Sequence, residues 1–219
     1  MHMDTYRTLV ELGPAEEVRL TEADAEPAGT VLLAAFRDYP LFSWLLPDAE
    51  ARDRLLPAFF VASVRYACLC GEAWAVAPNA QFAAVAVWLP VPGAEPTPER
   101  LERSGMARLP DLLGADVWGR LETTAGAIEA AQEQAVPPPH RYLWGLGVDP
   151  TWQRRGLGEA LLRRFGSRAA ADGVPTCTWT VDAEGVPYYR RHGYDVVAEG
   201  VEPASGLPYW IFRGTGPGR

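Results

Sequence analysis

Apolar residues recur at strand and helix periods in alternating blocks along the chain. Val18-Arg19-Leu20 predicts a short strand, and Thr21-Glu22-Ala23-Asp24 resembles a capping box that starts a helix toward Phe36. Arg37 to Pro47 is aromatic and carries Pro40 and Pro47, which predicts a loop. Ala51 to Leu69 predicts a second helix, started or kinked by Pro57. Ala73 to Ala77 and Phe82 to Leu89 flank Pro78-Asn79-Ala80-Gln81 and predict a hairpin. Thr97-Pro98 is an N-cap and N1 pair that opens a helical region to about Ala135, broken into pieces by Gly105, Pro110 and Gly114. Pro137-Pro138-Pro139 closes it with extended chain.

The remainder is the most regular part. Tyr142 to Val148 predicts a strand ended by Asp149-Pro150, and Thr151 to Arg155 a loop. Leu157, Leu161, Leu162, Phe165 and Ala169 fall near one face of a helix from Leu157 to Ala171, stopped by Gly173 and Pro175. Thr176 to Val181 alternates Thr with Cys177, Trp179 and Val181 and predicts a strand. Pro187 begins a short helix ending at Gly193, and Asp195 to Val201 and Leu207 to Phe212 predict a last strand pair. The order is βα, a β hairpin, an inserted helical segment, βαβα, then two strands. That is a mixed α/β sheet of about seven strands. Residues 1–17 read as a lead-in, 18–213 as a single domain with the insertion near 97–135, and 214–219 as a tail.

Composition narrows the chemistry. The 219 residues suffice for one domain with a sizeable core, and no apolar run approaches the roughly 20 residues of a membrane helix. The N-terminus carries no secretion pattern, so a cytoplasmic protein is expected. The net charge of −8 argues against a nucleic-acid surface and suits an amine partner. All 20 basic residues are Arg, which excludes a P-loop lysine and a Schiff-base lysine. Cys68, Cys70 and Cys177 give no disulfide framework, and with His2, His140 and His192 they give no metal spacing. Glu16-Glu17 reads as solvated surface charge.

The stretch Val148-Asp149-Pro150-Thr151-Trp152-Gln153-Arg154-Arg155-Gly156-Leu157-Gly158 lies between a strand and an amphipathic helix. A helix N-terminus offers unpaired N–H groups and partial positive charge. Gly156 and Gly158 remove side chains where a ligand approaches, and Arg154 and Arg155 add charge, which together make a pyrophosphate cradle. A dinucleotide fingerprint would need a glycine where Leu161 stands. Gln-x-x-Gly-x-Gly in this context resembles motif A of the GNAT N-acetyltransferase superfamily. Pro187-Tyr188-Tyr189-Arg190-Arg191-His192-Gly193-Tyr194 resembles that family's aromatic-Tyr-x-x-x-Gly-aromatic segment. A closer resemblance is to puromycin N-acetyltransferase-like members, through Ala84-Val85-Ala86-Val87-Trp88, Gly147-Val148-Asp149-Pro150, Gly173-Val174-Pro175 and the helical insertion. It covers roughly Val18 to Arg213.

The resemblance implies a GNAT fold whose fourth and fifth strands splay, with helices on both faces and acetyl-CoA as cofactor. Leu146, Gly147 and Val148 would pair with the pantetheine arm, and Gln153, Arg154, Arg155, Gly156, Leu157, Gly158 and Glu159 would hold the pyrophosphate. Tyr189 matches the family's general acid, while Tyr188 is expected to face the core. Family asparagine is replaced by Gly185. No general base is legible, and His140, Asp182 and Glu184 stand as candidates, with a water relay equally open. Phe36, Tyr39, Phe42 and Trp44 fall where acceptor loops lie, and Trp144 should face the acceptor cleft. Most of the eight tryptophans should be core. The expected activity is acetyl transfer to a small-molecule primary amine by a monomer or homodimer that binds neither metal, membrane nor nucleic acid. A protein-amine or longer-acyl-CoA transferase and a silent acyl-CoA sensor are the alternatives.

Overall fold

The computed structural model describes residues 16–214. Its strands are β1 (Glu16–Arg19), β2 (Glu72–Ala77), β3 (Ala84–Val91), β4 (His140–Val148), β5 (Thr176–Thr180), β6 (Tyr194–Val201) and β7 (Pro208–Gly214). They form one sheet in the order β1-β2-β3-β4-β5-β7-β6. Every neighbouring pair is antiparallel except β4 with β5.

The helices are α1 (Ala25–Phe36), α2 (Pro40–Leu45), α3 (Ala49–Cys70), α4 (Pro98–Ser104), α5 (Leu109–Leu113), α6 (Ala115–Ala135), α7 (Leu157–Ala171) and α8 (Val186–Arg191). Local chemistry explains most of their ends. Asp24 accepts from the Thr21 N–H at 2.8 Å and the Thr21 hydroxyl at 2.7 Å ahead of α1. Asp48 accepts from the N–H groups of Glu50 and Ala51 at the start of α3. Thr97 caps α4 through the Arg100 N–H at 3.2 Å. Gly105 and Gly114 turn the chain at φ 87° and 84°, which divides the insertion into its pieces.

Several expectations are corrected. Arg37 to Pro47 is not all loop: Pro40 sits at the first position of α2, where its missing N–H is no loss. α3 starts two residues before Ala51 and runs through Pro57 to Cys70. Glu16 and Glu17 belong to β1 rather than to a lead-in, and Glu17 is ion-paired with Arg164 instead of merely solvated. Residues 1–15 and 215–219, which hold the rest of the expected lead-in and tail, lie outside the described residues.

Helices cover both faces of the sheet. β3 shows why: Val85 and Val87 pack toward α1, α3 and the insertion, while Ala84, Ala86 and Trp88 pack toward α7. A central strand buried on both sides reads as a continuous apolar run. Trp88 is fully buried and lies 5.1 Å, ring to ring, from Phe165 of α7. Among the described residues no helix is long and apolar enough to cross a membrane.

Candidate active site

β4 and β5 pair only through Arg141 with Thr176 and Tyr142 with Cys177. The Thr178 hydroxyl then donates to the Leu143 carbonyl at 2.9 Å, and beyond that tie the strands part. β4 keeps its ladder with β3 on the other edge, so its groups facing the gap have no strand partner from Gly145 onward. A β-bulge puts Trp144 out of register between Leu143 and Gly145. Gly147 faces α1, where a Cβ would stand 2.9 Å from Ala35 Cβ. Gly147 lets α1 approach closely, and Trp144 packs on that same side of the sheet. A cleft of about 630 Å³ passes through the gap.

One end of the cleft is the loop before α7. Asp149 accepts from the Thr151 N–H at 2.8 Å and its hydroxyl at 2.6 Å, which makes it a turn residue. Gln153 donates to the Val148 carbonyl at 3.3 Å. Gly156 turns at φ 79°, and the first N–H groups of α7 face the cleft without helical partners. Arg154, itself at φ 60°, lines the cleft, as do Gly156, Leu157, Gly158 and Glu159. Arg155 does not: its guanidinium lies over the Trp152 ring at 4.9 Å. Arg191 at the end of α8 and His192 just beyond it line the cleft as well. The His192 ring lies tilted 4.4 Å, centroid to centroid, from the Tyr188 ring, and its Nε2 is 3.8 Å from Glu159.

Tyr188 packs against the core under α7 and also borders the cleft; its hydroxyl would stand only 2.7 Å from a Cβ on Gly158. That hydroxyl is buried without a hydrogen-bond partner, and burial raises its pKa. Tyr189 lies deeper, its ring 4.8 Å from Phe212 and 5.7 Å from Tyr194. Burial pushes its pKa up to about 12, with the nearby Thr178 side chain opposing in part. Both tyrosines line the cleft, and so does Gly185.

The other end is aromatic. Phe36, Tyr39 and Phe42 line it with Trp144, as do Phe59 and Phe60 of α3, which sequence reasoning missed. Tyr39 is also a strut: its hydroxyl accepts from the Val181 N–H at 2.8 Å and is 2.9 Å from the Thr180 hydroxyl. Trp44 is not in the cleft; it packs in the core with the Arg120 guanidinium 5.2 Å from its ring. Of the candidate bases, His140 is buried away from the cleft and Glu184 is exposed outside it. Asp182 lines it but already accepts from the Glu184 N–H at 3.0 Å. A carboxylate not read from the sequence, Glu129 of α6, lines the cleft as well.

One continuous cleft thus joins the α7 N-terminus and Arg154, through the strand gap, to an aromatic chamber. Residues 86–194 match the family model described as Acetyltransferase (GNAT) family, and the chain belongs to that family of acyltransferases, which use acetyl-CoA. The fold is similar to the solved structure titled histone acetyltransferase HPA2 and related acetyltransferase from Corynebacterium glutamicum. That match has a TM-score of 0.62 and 19% identity over 94% of this chain and 97% of that one. An agmatine N-acetyltransferase mutant in its apo form matches with a TM-score of 0.61 and 18% identity, over 92% and 99%. A Drosophila melanogaster polyamine N-acetyltransferase matches with a TM-score of 0.58 and 18% identity, over 90% and 99%.

Proposed function

We propose that the protein transfers the acetyl group of acetyl-CoA to the primary amine of a small molecule by direct attack, with Tyr189 as general acid. The supporting observation is the continuity of the cleft from the α7 cradle, past Tyr189, to the aromatic chamber. The residues at the cradle fit the carrier. Unpaired N–H groups and Arg154 oppose its phosphate charge, and the partnerless Tyr188 hydroxyl has a donor to give. When bound, the carrier supplies an acetyl thioester. Leu146 to Val148 offer backbone groups to its amide arm and a donor to the acetyl oxygen.

Tyr189 stays protonated at neutral pH and can donate to the leaving sulfur, whose thiol has an ordinary pKa near 8.5. The chamber of Phe36, Phe42, Phe59, Phe60 and Trp144 fits an amine with an aromatic or apolar body. The structural neighbours named for agmatine and polyamines make those amines natural members of a substrate panel.

Thermal unfolding with and without acetyl-CoA tests the donor site. At 100-fold excess over Kd the expected stabilisation is about 2.7 kcal/mol, a shift of roughly 5–10 °C for a chain of this size. Thiol release with a panel of agmatine, a polyamine and aromatic amines then tests transfer. No shift at millimolar acetyl-CoA sinks the reading. A shift without thiol release from any amine leaves a sensor in its place.

A further inference from the structure

α6 carries Leu121, Ala125 and Glu129 at four-residue intervals, and all three line the cleft. That spacing puts them on one helix face. The face lines the same cleft as Trp144 and the Phe42, Phe59 and Phe60 rings. Glu129 is thus a carboxylate set in an otherwise apolar wall. Among the described residues no cationic group acts on it. The titratable groups that do are Glu133, one turn along α6, and Tyr142 of β4. Tyr142 in turn feels Tyr39 and Cys177. Burial first, and Glu133 second, raise the Glu129 pKa, with Tyr142 opposing. A half-buried carboxylate with no cation beside it is unfavourable unless something brings the cation.

We infer that Glu129 receives the ammonium group of the acceptor and takes its proton. The inference rests on the acetyltransfer reading and names the acceptor class: a primary amine that arrives charged and carries an apolar body. The amine must be neutral to attack. One N–H proton passes from the ammonium to the Glu129 carboxylate, leaving a free amine and a carboxylic acid. The nitrogen lone pair then forms the bond to the acetyl carbon, and the carbon–sulfur bond breaks with its electron pair on sulfur. Tyr189 supplies the proton to that sulfur and recovers one from the new amide nitrogen through water. Glu129 returns its proton to solvent. The aromatic rings hold the cation's flank without competing for its proton.

The test uses the full chain and Glu129→Gln, which keeps shape and removes charge. Binding of 2-phenylethylamine and of its neutral isostere 2-phenylethanol is measured by calorimetry at pH 7 in the presence of CoA. Wild type should prefer the amine at least tenfold, and Glu129→Gln should lose that preference. Acetyl-CoA should raise the unfolding temperature of both forms equally.

With an amine that turns over, wild-type kcat/KM should stay level between the raised Glu129 pKa and the amine's own pKa. In Glu129→Gln it should climb about tenfold per pH unit over that range, because only the free amine then reacts. If acetyl-CoA stabilises neither form, the acetyltransfer reading falls and takes this inference with it. If acetyl-CoA stabilises both, but wild type shows no amine preference or the variant keeps it, the Glu129 inference alone falls. A variant pH profile that stays level also overturns it.

Discussion

Two adjacent tyrosines occupy one cleft with different environments, and their removal should separate two functions. Tyr189 is packed between Phe212 and Tyr194. Tyr189→Phe should lower kcat by about 10²-fold or more, since a positioned general acid contributes on that order. It should leave the acetyl-CoA thermal shift intact. With its pKa at about 12, Tyr189 also stays a donor far into alkaline pH, so any loss of rate below about pH 11 must come from another group.

Tyr188 shows the opposite pattern. Its hydroxyl is buried and unpaired in the free fold. Tyr188→Phe should therefore leave the unliganded protein as stable or more so. A hydrogen bond to a charged acceptor contributes about 1.5–3 kcal/mol, so acetyl-CoA affinity should weaken by roughly 10- to 100-fold. Calorimetric titration with acetyl-CoA measures it. Unchanged affinity would assign the Tyr188 hydroxyl to packing alone.

At the scale of elements, the α7 cradle depends on one close approach. A Cβ at Gly158 would stand 2.7 Å from the Tyr188 hydroxyl and 3.3 Å from Val148 Cγ2. Gly158→Ala should push Tyr188 aside and weaken acetyl-CoA binding by tenfold or more. The same substitution should do less harm in a Tyr188→Phe background, because the clashing oxygen is gone. A double-mutant cycle on acetyl-CoA affinity reads the coupling, and residues in contact couple by about 0.5–3 kcal/mol. Additive effects would mean that the hydroxyl moves away freely.

This cradle was legible in the sequence because it is local. A strand, a turn and a helix start are contiguous, and Gly156 and Gly158 mark where side chains must be absent. The aromatic chamber was only partly legible, because it is tertiary. Phe42 and Trp44 looked alike on a supposed loop. On α2 they are two residues apart and point to different sides, so only Phe42 enters the cleft. The loop reading failed because Pro40 was taken as a breaker when it serves as a helix start. Arg155 looked as good as Arg154 in the motif, yet it is drawn onto Trp152. Glu129 sits in the insertion, where no motif marks it. The four-residue spacing of Leu121, Ala125 and Glu129 means something only once α6 is seen to line the cleft.

Across the whole molecule, two carboxylates of the same insertion and its neighbour carry opposite linkage to pH. Glu202 is buried, which alone would raise its pKa. Hydrogen bonds outweigh burial and lower it instead: it accepts from the N–H and hydroxyl of Ser205, the Ala204 N–H and the Thr124 hydroxyl of α6. A lowered folded pKa gives stability that is present above the unfolded carboxylate value and is lost as pH falls through the folded one. Glu202→Gln should therefore destabilise at pH 7 by about 1–3 kcal/mol, and its unfolding curve should converge on wild type in acid.

Glu129 runs the other way. Its raised pKa means that the unfolded chain gives up the proton more readily, so stability is lost as pH rises from the unfolded value through the folded one. Glu129→Gln should gain stability over wild type at pH 7–8 and lose that advantage near pH 4. Denaturant titrations of both variants across that range decide the matter. Parallel curves would mean that the chamber is wet enough to keep Glu129 ordinary. Diverging ones would show the fold holding an unfavourable charge in the position where an ammonium would relieve it.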